Sequence, residues 1–183
     1  MIFPPGLGIR IRMELAEIYK QGNLNNVISI LHEWKIISIL NENIKVDVRF
    51  LRGLNWIKKL EGNYMLYLLK DTEDIKTACR RFLINNDEIK ILEDYSNIKK
   101  ILKINQSKFI HYSPSSWTEF IENENLNDET VKLLICDGVP YWRNFFKWLF
   151  IYKFIKSKKD GEILKKEGWE PGKEMGQEIK RLR

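Results

Sequence analysis

The sequence predicts an all-α protein: an elongated multi-helix array with short connections that ends in a helix–turn–helix tail. Apolar residues recur at three- and four-residue spacing through most of the 183 residues. Few segments alternate with period two, and the valine-rich runs typical of strands are missing. Hydrophobic residues make up 44% of the chain, which is enough to build a sizeable core.

The helices of the first 106 residues are predicted from apolar stripes and terminal residues. Leu15 and Ile18 mark the inner face of the first helix, and Asn23 can cap the second. Gly62-Asn63 ends the third helix. Helices are predicted over residues 8–21, 24–34, 46–60, 64–69, 73–83 and 87–103.

A domain boundary is predicted at Ser107–Pro114, because this segment lacks a helical period. It divides the chain into helical domains 1–106 and 107–183. Ser115-Ser116 after the proline can start a helix at Trp117. Further helices are predicted over residues 117–123, 128–136 and 140–156.

The run Tyr141–Ile155 is very apolar but shorter than a membrane span. Arg143, Lys147 and Lys153 interrupt it, so no transmembrane segment is predicted. A buried core helix with one basic edge is favoured over an amphipathic helix at a membrane surface.

Positive charge is concentrated at the C-terminal end of a chain whose net charge is +6. Residues 140–183 hold 12 Lys and Arg against 6 Asp and Glu, whereas residues 106–139 hold 2 against 6. A basic end after an acidic stretch suits a polyanion such as RNA. An ordinary solvated basic surface explains the charge equally well.

The residue types used in catalysis and metal binding form no recognised motif. The sequence has no Walker loop, no H-E-x-x-H and no G-x-S-x-G. His32 and His111 stand alone, without the spacing of a zinc site. The acidic pairs are interpreted as solvated or helix-capping residues; they are Asp71/Asp74, Glu93/Asp94 and Asp128/Glu129.

Cys79 and Cys136 lie among apolar residues and are predicted to be buried free thiols in a reducing compartment. The N-terminal residues lack the charged and apolar regions of a secretory signal. Both observations favour a cytoplasmic location.

The last 23 residues, Gly161–Arg183, predict a short helix, a glycine stop, a tight turn and a second helix. Gly168 occupies the position where a helix end needs a residue tolerant of positive φ. Gly172 and Gly176 are four residues apart, so a backbone or a phosphate can come close to that side. Lys173 lies in the first turn, beside unpaired N–H groups, and completes a phosphate cradle.

This tail resembles the C-terminal tail of bacterial CCA-adding tRNA nucleotidyltransferases, in the poly(A) polymerase-like family. The matching residues are Gly161, Leu164, Gly168, Pro171, Gly172, Met175, Gly176, Ile179 and Leu182. The helix that follows the catalytic head in this family, its neck helix, is matched at the other end of the chain. There the matching residues are Arg10, Ile11, Glu14, Leu15 and Ile18, whereas Trp34–Ile37 departs from the family pattern.

The resemblance implies a neck and body in residues 1–106 and a body and tail in residues 107–183. It implies that Arg10 and Glu14 support a nucleotide site built together with the head. Without the order of the family's motifs, the residues themselves favour a surface ion pair at i, i+4. For the tail, the resemblance implies that the tRNA backbone is held by Lys165, Lys166, Gly172, Lys173, Arg181 and Arg183.

The family's catalytic head, with its G-S-x-x-R-D loop and D-x-D metal pair, has no counterpart here, and the neck's E-D-x-x-R is also missing. The chain is therefore expected to be inactive by itself, as a truncated form or as the partner of a separate head. Mg²⁺ and ATP or CTP are expected only with a head. The expected function is tRNA binding during CCA addition in tRNA 3′-end processing. The alternative is an all-α protein-interaction or membrane-peripheral adaptor that uses Tyr141–Ile155.

Overall fold

The computed structural model describes residues 6–155 and 161–181, and every regular element in these ranges is a helix. This confirms the predicted all-α class. The α-helices are α1 (Leu7–Gln21), α2 (Leu24–Glu33), α3 (Val48–Lys59), α4 (Tyr64–Leu69), α5 (Ile75–Arg81), α6 (Asn86–Ile104), α7 (Gln106–Phe109), α8 (Pro114–Asn123), α9 (Asp128–Asp137), α10 (Trp142–Phe150), α11 (Gly161–Lys166) and α12 (Lys173–Arg181). Two 3₁₀ helices span Ile37–Ile39 and Tyr152–Phe154.

Polar side chains fix the beginnings of many helices by accepting hydrogen bonds from free backbone N–H groups. Asn85 and Glu88 form a reciprocal capping box at the start of α6. The other N-cap side chains that accept such bonds are Asp47, Asn63, Asp74, Ser113 and Asn127. Local sequence therefore sets where most of the middle helices start.

Helix α9 lies at the centre of the fold, in contact with α3, α6 and α10. Val131, Leu133 and Leu134 are fully buried, so successive sides of the helix all face protein. Helix α3 approaches closely at Gly53, where an added Cβ would lie 2.4 Å from the carbonyl oxygen of Cys136. A glycine at this position permits the close contact between the two helices.

The hydrophobic core continues across residue 106, from Leu15 in α1 to Leu149 in α10. Helix α9 joins the two parts, because it packs against α3 and α6 as well as α10. Trp117 in α8 packs within the second part. Its ring stacks on Phe109 at 5.2 Å and meets Phe145 edge-on at 5.5 Å. The division into domains 1–106 and 107–183 stays a prediction.

The structure corrects one predicted cap and moves two predicted helix ends by three residues or more. Asn23 precedes α2, but its side chain makes no capping hydrogen bond. Helix α8 begins at Pro114 rather than at Trp117, because the Ser113 hydroxyl caps it and proline suits the first turn. Helix α10 ends at Phe150 instead of near residue 156, since Ile151 leaves the helical region at φ −128° and a 3₁₀ turn follows.

Candidate nucleic-acid interface

The tail forms two helices joined by a glycine stop. Gly168 has φ +93°, as its position predicted. Its N–H donates to the carbonyl oxygen of Lys165, and the N–H of Trp169 donates to that of Leu164. These are the two hydrogen bonds of a Schellman motif, which ends α11 and turns the chain toward α12.

The predicted phosphate-holding groups in the tail are exposed. The side chains of Lys165, Lys166 and Lys173 face solvent, and a Cβ added at Gly172 or Gly176 would meet nothing within 4 Å. The tail therefore presents three lysines and open backbone on its surface, together with four exposed glutamates, Glu162, Glu167, Glu170 and Glu174. Arg181 is the last residue of α12, and Arg183 lies outside the described residues.

Helix α1 carries the predicted nucleotide-site pair, Arg10 and Glu14, and both side chains are exposed. Within the described residues they form no ion pair with each other. An apolar groove of about 680 Å³ runs beside this helix, with exposed Met13 and Leu83 at its rim.

Arg12 is the arginine of α1 that contacts other helices through its side chain. Its Nη1 donates to the carbonyl oxygens of Phe82 at 3.2 Å and Leu83 at 2.7 Å. Its Nη2 lies 3.5 Å from the carboxylate of Glu88. A cation at the carbonyl end of α5 stabilises that helix end, so Arg12 connects α1 to α5 and α6.

An ionic cluster joins the ends of α4 and α9 to the middle of α6. Its members are Lys70, Asp71, Tyr95, Lys99 and Asp137. Lys70 is only 7% exposed, and its Nζ contacts Asp71 and lies 2.7 Å from Asp137 Oδ1. Lys99 Nζ lies 2.9 Å from Asp71 and 3.1 Å from Asp137. The Tyr95 hydroxyl donates to Asp137 Oδ2 at 2.9 Å.

These contacts set the protonation of the ionic cluster. Burial alone raises the pKa of Asp137, but the charge and hydrogen bond of Lys70 outweigh it. Together with Lys99 and Tyr95, Lys70 lowers the pKa of Asp137 to about 2. The pKa of Tyr95 is raised, first by burial and then by the charge of Asp137. At neutral pH the carboxylate is charged and the phenol keeps the proton that it donates.

A cavity of about 260 Å³ opens beside the ionic cluster and is also lined by Asn41, Asn43 and Arg49. The guanidinium of Arg49 donates to the carbonyl oxygens of Asp137 and Gly138 at the end of α9. The charged groups of the cluster thus form ion pairs with one another, and Arg49 forms hydrogen bonds with backbone carbonyls. This arrangement fixes helix ends and provides no activated base or nucleophile.

Sequence reasoning missed the ionic cluster. Asp71 is 40% exposed, as a solvated acid should be, and it also forms ion pairs with Lys70 and Lys99. Asp74 does cap a helix, since it accepts from the N–H of Thr77 at 3.0 Å. The sequence did contain an indication of this cluster, because Lys70-Asp71 and Asp137 each come directly after an apolar helical run. Tyr95 and Lys99, four apart on α6, gave the matching face.

Among the described residues, no group of three or more His, Cys, Asp and Glu side chains could hold a metal ion. Within the same ranges, no helix has both the length and the apolar character needed to cross a bilayer. Compared with models of protein families, with curated proteins and with solved structures, the chain gives no match.

Proposed function

We propose that this chain binds tRNA as the C-terminal part of a CCA-adding nucleotidyltransferase, with the tail holding the RNA backbone. The observation that supports this most is the surface of the tail. Lys165, Lys166 and Lys173 are exposed, and Gly172, the neighbour of Lys173, leaves the backbone open to an approaching phosphate. Lysines and free N–H groups are the donors that most often contact phosphates.

The proposal assigns the tail a positioning role and no chemistry. A-form RNA offers little sequence information to side chains, so recognition depends on shape and phosphates. The metal-binding carboxylates for nucleotide addition belong to a head domain. We propose that a separate chain or segment supplies that head. The work of this chain is to hold the tRNA while that head, loaded with Mg²⁺ and ATP or CTP, adds nucleotides. The proposed location is the cytoplasm.

The test measures tRNA affinity over a series of salt concentrations. Three lysine contacts predict that the logarithm of the association constant falls against the logarithm of salt concentration with a slope of about −3. Lys173→Glu should weaken binding and reduce the steepness by about 1. Lys100→Glu, at an exposed position of α6, is the matched charge reversal outside the tail and should leave both quantities nearly unchanged.

Two results would contradict the proposal. One is an absence of tRNA binding at low salt, and the other is equal affinity for tRNA and for an unrelated acidic polymer such as heparin. Circular dichroism of Lys173→Glu separates lost binding from lost folding, because the exposed side chain should be replaceable without unfolding.

A further inference from the structure

A row of aromatic rings covers the outer surface where α3 and α10 meet. Trp56 of α3 meets Phe146 of α10 edge-on, with ring centroids 6.3 Å apart. Phe146 in turn lies 4.8 Å from Phe150, one helical turn further along. We call the surface formed by Trp56, Phe146 and Phe150 the α3–α10 face.

Two rings of the α3–α10 face are exposed, whereas Phe146 is half-buried and packs against the core. Trp56 is 37% exposed and Phe150 is 50% exposed. The opposite side of α10 is anchored in the core by Phe145, Trp148 and Leu149, which are at most 6% exposed. The helix therefore cannot rotate its outer rings inward without exposing larger buried groups.

The two helices of the α3–α10 face carry basic residues and no acid. Neither α3 nor α10 contains an Asp or a Glu. Lys59 lies with its Nζ 5.4 Å from the centre of the Trp56 ring, and Lys147, next to Phe146 in the sequence, is exposed. A second copy of the chain would bring like charges together, so charge complementarity favours an anionic partner.

We propose that the α3–α10 face binds unpaired RNA nucleotides, with bases stacked on Trp56 and Phe150 and phosphates near Lys59 and Lys147. The inference rests on the proposed RNA-binding function and adds a single-stranded segment to its ligand. Exposed rings beside cations are the usual surface for single strands. The tail also combines an exposed ring, Trp169 at 38%, with exposed lysines in the same segment, so one class of ligand fits both surfaces.

The test uses fluorescence anisotropy with a labelled single-stranded RNA of about 12 nucleotides, within the usual site size. Phe150→Ala should weaken binding about tenfold, because it removes one stacking platform. Phe150→Leu should weaken it similarly, since leucine keeps the apolar bulk but has no ring. Ile104→Ala removes a 79% exposed apolar side chain at the end of α6 and should leave affinity unchanged.

A second measurement reports stacking directly. The fluorescence of a 2-aminopurine in the strand should be quenched on binding to the wild type and less so with either Phe150 variant.

Wild-type affinity in Phe150→Leu would overturn the inference, because apolar contact would then suffice. Tight binding to phosphatidylserine vesicles that excess RNA does not displace would also overturn it and would favour the membrane-peripheral alternative. The two proposals fail differently. If only this inference is wrong, Lys173→Glu weakens tRNA binding while the Phe150 variants bind single strands like the wild type. If only the tail proposal is wrong, the Phe150 variants lose binding and Lys173→Glu does not.

Discussion

Replacing Asp137 by asparagine should destabilise the protein by leaving a buried lysine with one partner fewer. The side chain of Lys70 is 5% exposed and has Asp71 and Asp137 as its anions. Removing one partner of a buried ion pair usually costs about 3 to 5 kcal/mol. Because Asp71 remains in contact with Lys70, we expect Asp137→Asn to lower the free energy of unfolding by about 2 to 3 kcal/mol at pH 7.

The same substitution should change how stability depends on pH. The pKa of Asp137 is about 2 in the folded protein, against an ordinary value of 3.8. A lowered carboxyl pKa contributes stability that is fully present above pH 4 and is lost as the pH falls toward 2. The difference corresponds to about 2 kcal/mol. The wild type should therefore lose its advantage over Asp137→Asn across this range.

Urea unfolding followed by circular dichroism, repeated between pH 7 and pH 2, measures both effects. Glu93→Gln is the matched control, because Glu93 is exposed on α6 and its change should stay within about 0.5 kcal/mol. A stability for Asp137→Asn within that margin of the wild type would refute the reasoning. So would a constant difference between the two proteins from pH 4 to pH 2.

Two further outcomes follow from the close packing of the core. Gly53→Ala should destabilise the protein by about 1 to 3 kcal/mol in urea unfolding, because its Cβ would lie 2.0 Å from the Tyr67 hydroxyl oxygen. The control Gly176→Ala, at an open helical position, should not destabilise it. Equal stabilities of the two variants would contradict the close contact at Gly53. The thiols of Cys79 and Cys136 are buried, which raises their pKa values to about 11 and about 12. A thiol reagent at pH 8 should modify them slowly in the folded protein and rapidly in urea, and fast modification of the folded chain would show that they are accessible.

The sequence predicted features that depend on local chemistry. Glycine at position 168 was expected at positive φ, and it has φ +93°. The free, buried state of Cys79 and Cys136 was also correct. These outcomes depend on a few neighbouring residues and on apolar periodicity, which one sequence displays directly.

The features that sequence reasoning missed depend on contacts between distant residues. Asp71 and Asp137 are 66 positions apart, and the local signal, a charged residue directly after an apolar run, does not show that both meet at Lys70. Tyr141–Ile155 was expected to be one buried helix with a basic edge, yet Phe150 and Ile151 are about half exposed. Composition could not show that α10 ends at Phe150, where Ile151 leaves the helical region, or which side of α10 packs against α9.

The central position of α9 has a consequence for synthesis of the chain. A nascent polypeptide that ends before Asp128 already contains α3 and α6 but lacks the helix that covers their inner faces. Apolar residues such as Leu54 and Tyr95, at most 2% exposed in the finished fold, then have no partner in α9. During synthesis, the first two thirds of the chain therefore expose apolar surface until α9 has been made. Transiently exposed apolar surface is the feature of folding intermediates that makes chaperones necessary.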